Sequence, residues 1–474
     1  MKICVVGGGT AGWISALLLK KETDHDISVI DSSYIGPLGV GESTTGLFPE
    51  VIRKYFSEEE FYKECGITPK LGTEFVGWAE NDFYSPLEGT FSSREQFDYS
   101  LYYGSKNNNL SIFSQHSLLS SFGKVNFHKN TTTKKFISDG NNAYHLDTYK
   151  TITYLKKKCI ESGINFIDCE VIESRQNKIG NIDLIHTKKG KFKYDFIIDC
   201  TGFRRVVVSK YNPNFVSYEK WMSVNTGLPF NLDWKSITYK KPVTTSLALS
   251  CGWMWAIPTR NSLGCGIVYD KNFSSQEKII EEVSNILGQK IEIKKEIKFK
   301  SGRLEKSLYN NLATIGTSYS FLEPLQATSI HTTILQILKL ISFFKGETTE
   351  EEYNDFCGRT VDNYADFVSL HYQFNYIQND FWSSRIPREY TKNIISISKL
   401  KVLEKSDYGI GEHENNLTGH VLWGNILAGG NLLYEGEVNY TPYELDYINK
   451  WQRGVPNALD QSLSFIDFIN LYDD

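Results

Sequence analysis

Eight cysteines are spread along 474 residues without a single Cys-x-x-Cys pair. That argues against a zinc site or a disulfide framework and for reduced, mostly buried thiols in a cytoplasmic protein; no metal site is expected. Net charge is also scarce: 51 Lys and Arg against 56 Asp and Glu leave −5. Such a balance offers no electrostatic footprint for nucleic acid or for an anionic membrane. Short basic runs such as Lys156-Lys157-Lys158 read as solvated faces. No apolar run is expected to reach the length of a membrane span, the longest, Ile330 to Phe344, being interrupted by His331, Gln336 and Lys339. The first strand starts at Lys2, which leaves no room for a signal peptide. Internal repeats and low-complexity tracts are absent as well. Aromatic residues are plentiful, with 28 Tyr, 28 Phe and 9 Trp.

The N-terminus carries the most specific pattern. Lys2 to Val6 reads as a short buried strand, Gly7-Gly8-Gly9-Thr10-Ala11-Gly12 follows as G-x-G-x-x-G, and Trp13 to Leu19 continues as an apolar helix. Gly7 permits a tight turn, Gly9 lets a pyrophosphate approach the backbone, and Gly12 lets helix and strand pack closely. The diphosphate belongs on the helix N-terminus, where free N–H groups and the dipole favour negative charge. A second strand, Ile27 to Ile30, ends at Asp31, where an acid that binds an adenosine ribose is expected.

Further along, a glycine-rich loop, Gly36-Pro37-Leu38-Gly39-Val40-Gly41-Glu42-Ser43-Thr44, allows close backbone approach to a ligand. Residues 94–125 look like a polar and aromatic excursion. His145 to Tyr149 reads as the opening of a helix that runs to Lys158. Strands are expected near Ile164–Ile167 and at Phe196–Cys200, the latter running into Thr201-Gly202-Phe203-Arg204 as a parallel central strand runs into a ligand-facing loop. Residues 215–300 alternate polar and apolar and read as an antiparallel sheet. Thr314 to Ser318 forms another strand with a turn at Gly316. A helix over Ile330–Lys345 is closed by Gly346, and 347–474 reads as mostly helical.

Trp253-Met254-Trp255-Ala256-Ile257-Pro258 reads W-x-W-x-I-P, and two Trp at i, i+2 of a strand put both rings on one face. Together with Gly7–Trp13, this segment resembles the flavin-dependent halogenases of the tryptophan halogenase family. Gly39 to Thr44 resembles that family's loop beside the flavin, Asp199 to Arg204 its D-C-S-G-F-R segment, and Ser318 to Leu325 the stretch that passes the isoalloxazine. The resemblance covers at least residues 1–345. It implies an α/β, FAD-binding, Rossmann-like flavin monooxygenase (GR2-type) fold with an antiparallel substrate-side sheet. Residues 1–346 would form the FAD-binding core, and the helical region 347–474 would contribute to the substrate pocket. FAD would contact Gly7, Gly9, Thr10, Ala11, Gly12, Asp31, Gly39, Gly41, Glu42, Ser43, Gly202, Gly316 and Leu325. Trp253 and Trp255 would separate substrate from flavin, so that the oxidant meets halide.

The family's catalytic lysine lies in a Cys-x4-Lys-x4-Phe-x2-Trp context, and Cys65, Lys70, Phe75 and Trp78 reproduce that spacing. The resemblance therefore assigns to Lys70 the capture of hypohalous acid made from FADH2, O2 and halide, by a hydrogen bond from an ammonium or as a haloamine. At the family's catalytic Glu this chain has Gln326, in Pro324-Leu325-Gln326-Ala327-Thr328-Ser329. An amide keeps the shape and an acceptor oxygen but takes no proton. Three explanations are open: another base (Glu323, Glu42 or His331), a ring activated enough to lose its proton to water, or an impaired enzyme. Thr328 and Ser329 precede the expected helix, where their N–H groups would bind halide.

The resemblance implies a halogenase using chloride or bromide, with iodide also admitted. FADH2 would come from a separate NAD(P)H-dependent flavin reductase. Phe97 to Leu101 replaces the His-Ser-Phe segment of tryptophan-specific members, and the lid is abbreviated around Trp423–Ala428. The substrate is thus read as a small indole or phenol rather than free tryptophan. A flavin-dependent hydroxylase is the alternative activity, and self-association is left open.

Overall fold

The computed structural model describes residues 1–34, 36, 41–87, 101–107, 114–130, 136–233, 240–374, 376–404, 407 and 419–472. The chain divides into two compact units, each assembled from three separate stretches. One comprises Met1–Gly39, Asp147–Glu219 and Phe299–Asp362, and the other Val40–Leu146, Lys220–Lys298 and Asn363–Asp474.

The first unit is built on a six-stranded sheet. Lys2–Val6 lies inside it, paired in parallel with Asp26–Asp31 on one side and Phe196–Asp199 on the other. That central place explains why Ile3, Cys4, Val5 and Val6 are all buried and read as one apolar run. Asn165–Asp168 and Leu312–Thr314 extend the sheet in parallel, and Leu308–Tyr309 closes it as an antiparallel edge. The helix Thr10–Glu22 packs on Thr148–Glu161 and on Thr328–Phe344. The stretch Leu325–Phe344 has a mean hydropathy of 1.2 and is long enough to cross a membrane, contrary to the expectation from its interruptions. Its apolar residues Ile334, Ile337 and Leu340 are fully buried, as in a core helix.

The second unit contains a seven-stranded sheet in the order Ile297–Lys298, Thr226–Leu232, Leu263–Tyr269, Gly252–Pro258, Val243–Leu249, Gly72–Val76, Phe83–Pro86. Val243–Leu249 pairs in parallel with Gly72–Val76, and the other neighbours are antiparallel. Residues 215–300 are therefore not one antiparallel sheet. Phe215–Ser217 pairs with Gly302–Leu304 in the first unit, and the parallel partner comes from a distant segment. A small sheet joins Glu42–Ser43, Ala143–Leu146 and Thr68–Lys70. His145 thus lies on a strand, and the helix begins only at Thr148, because the Asp147 carboxylate accepts from the Lys150 N–H as its N-cap. Among the described residues from 350 onward helices dominate, with one short strand, Ser462–Ser464, paired to Lys124–Lys129. All eight cysteines are free and buried.

Candidate active site

Two of the fingerprint glycines are required by the fold itself. Gly7 has φ 105°, and a Cβ there would stand 2.5 Å from the Cys200 carbonyl oxygen. A Cβ at Gly12 would overlap the Gly7 carbonyl. Gly9 is different: its φ of −74° suits any residue and nothing lies within 4 Å of a Cβ built on it. Packing gives no reason for glycine there, whereas a pyrophosphate approaching the backbone does. Gly9 is also the N-cap of the Thr10–Glu22 helix, which has no side-chain cap and no acid in its first turn. Its positive end is left available to an anion.

Asp31 ends the neighbouring strand with its carboxylate against Gly8, where any Cβ would press on it. Burial pushes this carboxyl up, while the backbone N–H groups of Gly8 and Ser32 donate to it and hold it down in part. Gly202 and Gly316 belong to the same unit. Ser318 Oγ donates to the Gly202 carbonyl at 3.3 Å, and a Cβ on Gly316 would stand 2.8 Å from Ala11. This cradle of open glycine and bare helix end, with an acid at the end of the next strand, fits FAD.

Leu325, Gln326 and Ala327 form a tight turn in that unit, directly before the helix that carries Thr328 and Ser329. Gln326 (φ 63°) and Ala327 (φ 56°) are both left-handed, a conformation that costs a non-glycine residue roughly 1–2 kcal/mol. The helix starts at Thr328 rather than near Ile330, so Thr328 and Ser329 lie within its first turn. No side chain caps that turn and no acid lies in it. Of the bases considered from sequence, His331 is pushed down to about 3 by burial and stays neutral.

Lys70, Glu42, Ser43, Gly41, Trp253 and Trp255 belong to the second unit; Gly39 and Phe97–Ser100 lie outside the described residues. Lys70 ends the Thr68–Lys70 strand, is 1% exposed, and donates from Nζ to the Thr44 carbonyl at 3.1 Å. No acid forms an ion pair with it among the described residues, and burial lowers it to about 7. Ser43, His145 and Thr68 occupy one cross-strand row of the small sheet, and Lys70 is one pair further along the same face. His145 Nε2 stands 2.9 Å from Thr244 Oγ1 and Nδ1 3.4 Å from Thr68 Oγ1, while Thr244 Oγ1 reaches Ser43 Oγ at 3.1 Å. Burial, and then the charge of Lys70, hold the His145 imidazole well below its usual range. Sequence reading missed His145 and Thr244, which only strand pairing brings into this network, and it read Thr44 only as part of the glycine-rich ligand loop.

Trp253 and Trp255 lie on the buried strand Gly252–Pro258 with ring centroids 6.2 Å apart. Trp78 stands 6.3 Å from Trp253 and donates from its indole nitrogen to the Ser246 carbonyl at 3.0 Å. Trp423, in the segment read as an abbreviated lid, is a buried residue of the helix His420–Gly429, packed on Phe367 and Tyr390.

The fold is that of the α/β flavin-dependent halogenases. The chain superposes on the tryptophan halogenase of Shewanella frigidimarina with a TM-score of 0.90, at 21% identity, covering 100% of this chain and 97% of that one. It is an FADH2-dependent halogenase, an oxidoreductase and flavoprotein acting on aromatic substrates. Residues 2–433 match the family described as Tryptophan halogenase, and the chain belongs to that family. Its relatives include tryptophan 6-halogenase SttH of Streptomyces toxytricini, 28% identical over 420 residues, covering 78% of each chain. Tryptophan 7-halogenase RebH of Lentzea aerocolonigenes is 26% identical over 413 residues, covering 79% of this chain and 76% of that one. The family uses FAD and halide and implies a flavin reductase as partner.

Proposed function

We propose that this enzyme halogenates a small, electron-rich indole or phenol without a free amino-acid head, with hypohalous acid delivered to the ring through Lys70. The observation that carries the reading is Lys70 itself: an amine buried to 1% exposure, held by one neutral carbonyl. A lysine on a solvated face has no use for such a site, whereas an amine that must meet hypohalous acid away from water does.

Reduced FAD, when bound, supplies with O2 the oxidising equivalent that converts chloride or bromide to hypohalous acid. Gly7, Gly9, Thr10, Ala11, Gly12, Asp31, Gly202, Gly316 and Leu325 are the residues we assign to it, with Gly41, Glu42 and Ser43 carried over from the family's loop. Thr328 and Ser329 would hold halide on an uncapped helix end free of acids. Trp253 and Trp255 would wall the substrate from the flavin, with residues 347–474 contributing to the pocket. That wall disfavours the alternative, direct hydroxylation, which needs a ring exposed to the flavin oxidant.

The test is incubation with NADH, a flavin reductase, FAD, bromide and a panel of indoles and phenols, read by mass spectrometry. A brominated arene lost in Lys70→Ala, with FADH2 consumption retained, supports the reading. A hydroxylated product, or bromination undiminished in Lys70→Ala, overturns it.

A further inference from the structure

Gln326, an amide, stands where the resemblance puts the family's catalytic carboxylate, so the proton that leaves the ring needs another destination. We propose that it goes to the Lys70 nitrogen, which thus both carries the halogen and accepts the ring proton. This rests on the proposed role of Lys70.

The chemistry closes without a second group. The neutral amine attacks hypohalous acid, forming an N–X bond and releasing water. The ring then attacks X: the C–X bond forms, the N–X bond breaks, and its electron pair stays on nitrogen. That nitrogen takes the proton from the halogenated carbon, while the C–H electrons restore the aromatic ring. The amine is regenerated, and hypohalous acid plus arene become haloarene plus water.

The site is arranged to keep that amine neutral. Lys70 donates to an uncharged carbonyl, and its diagonal cross-strand neighbour is His145, a neutral imidazole whose two nitrogens face Thr68 and Thr244. Three acids of neighbouring elements, Glu42, Glu58 and Glu74, are turned away or already engaged. Glu42 alternates to the other face from Ser43, and Glu58 takes the hydroxyl of Tyr144, itself on the face opposite His145. Glu74 is held by Lys241 at 2.7 Å and Tyr84 at 2.9 Å. His116 adjoins the backbone of Leu71, and burial lowers it against the opposing charge of Asp139. An acid beside Lys70 would favour the ammonium, which can neither attack hypohalous acid nor accept a proton.

Two measurements on the full-length protein test this. The first is NMR titration of [ε-13C]lysine-labelled protein without flavin, with the Lys70 resonance identified by its loss in Lys70→Arg. The expected midpoint lies near neutrality; a midpoint in the ordinary lysine range, about 10.4, overturns the proposal. The second is brominated product per FADH2 consumed, from pH 6 to 9. This ratio should rise by up to about tenfold per pH unit below the NMR midpoint and level off above it. Gln326→Glu should not raise it at pH 8, whereas restoring a missing general base would raise it roughly 100-fold or more. A ratio that ignores the Lys70 titration, or a large gain in Gln326→Glu, overturns the proton assignment while bromination itself stands. No brominated product at any pH would overturn the halogenation reading instead.

Discussion

The indole of Trp255 lies on Gly266, its cross-strand neighbour, so closely that a Cβ at residue 266 would fall within the ring. The bare backbone of one strand is the bed for the large side chain of the next. Gly266→Ala should therefore displace Trp255 and destabilise the protein by about 1–3 kcal/mol, the usual scale for forcing extra volume into a packed interior. Urea denaturation measures this; an unchanged midpoint would mean that the ring has room to spare.

The contrast between Gly9 and Gly12 separates ligand binding from folding. Gly9→Val meets open space in the fold, so thermal stability without flavin should stay within about 2 °C of the parent. FAD affinity should fall by about tenfold or more, because the side chain occupies the path of the pyrophosphate. Gly12→Val should fail to fold, since its side chain would enter the Gly7 carbonyl. Flavin titration followed by fluorescence reads the first effect. A Gly9→Val protein with full affinity would remove Gly9 from the site.

Burial of Lys70 opposes folding in a pH-dependent way. The amine is lowered to about 7 in the folded protein against about 10.4 in an unfolded chain. Between these values the unfolded chain binds the proton and the folded protein does not, so stability rises with pH across that window. The penalty is full below pH 7 and gone above about 10.4. Lys70→Met, close in shape and uncharged, should raise the melting temperature more at pH 6 than at pH 9. Calorimetry at the two pH values decides it, and an equal gain at both would place an ordinary lysine there.

Replacing the neutral neighbour by an acid should shift Lys70 in the opposite direction. In His145→Asp a carboxylate on the shared face would stabilise the ammonium and raise the Lys70 midpoint by about 1–3 units. The halogenation profile should move to higher pH by the same amount. NMR of labelled lysine gives the first shift and product per FADH2 the second. An unmoved Lys70 resonance in a folded variant would show that residue 145 does not act on it.

What the sequence determined by itself is what lies close along the chain. Gly7, Gly9 and Gly12 with the strand before and the helix after them are a local pattern, since the turn, the helix end and the close packing all arise within one βαβ unit. The Trp253 and Trp255 rings share a face because strand alternation has a period of two, and the Lys70 context is a fixed spacing of four residues on one segment. Even the Gln326 substitution is legible without coordinates, because an amide cannot ionise wherever it sits. The tertiary structure alone decided the character of Lys70. Its lowered affinity for a proton comes from burial, and its neighbours come from strand pairings across distant parts of the chain: Thr44 before it, His145 on a segment that reads as a helix start, and Thr244 on a strand whose parallel partner, Gly72–Val76, no local pattern announces. The sequence already read Gly9 as the place where a pyrophosphate approaches, and the fold adds that packing gives no other reason for glycine there, since the space beside it is open. Desolvation and cross-strand proximity depend on which surfaces meet, and pattern along the chain carries no term for that.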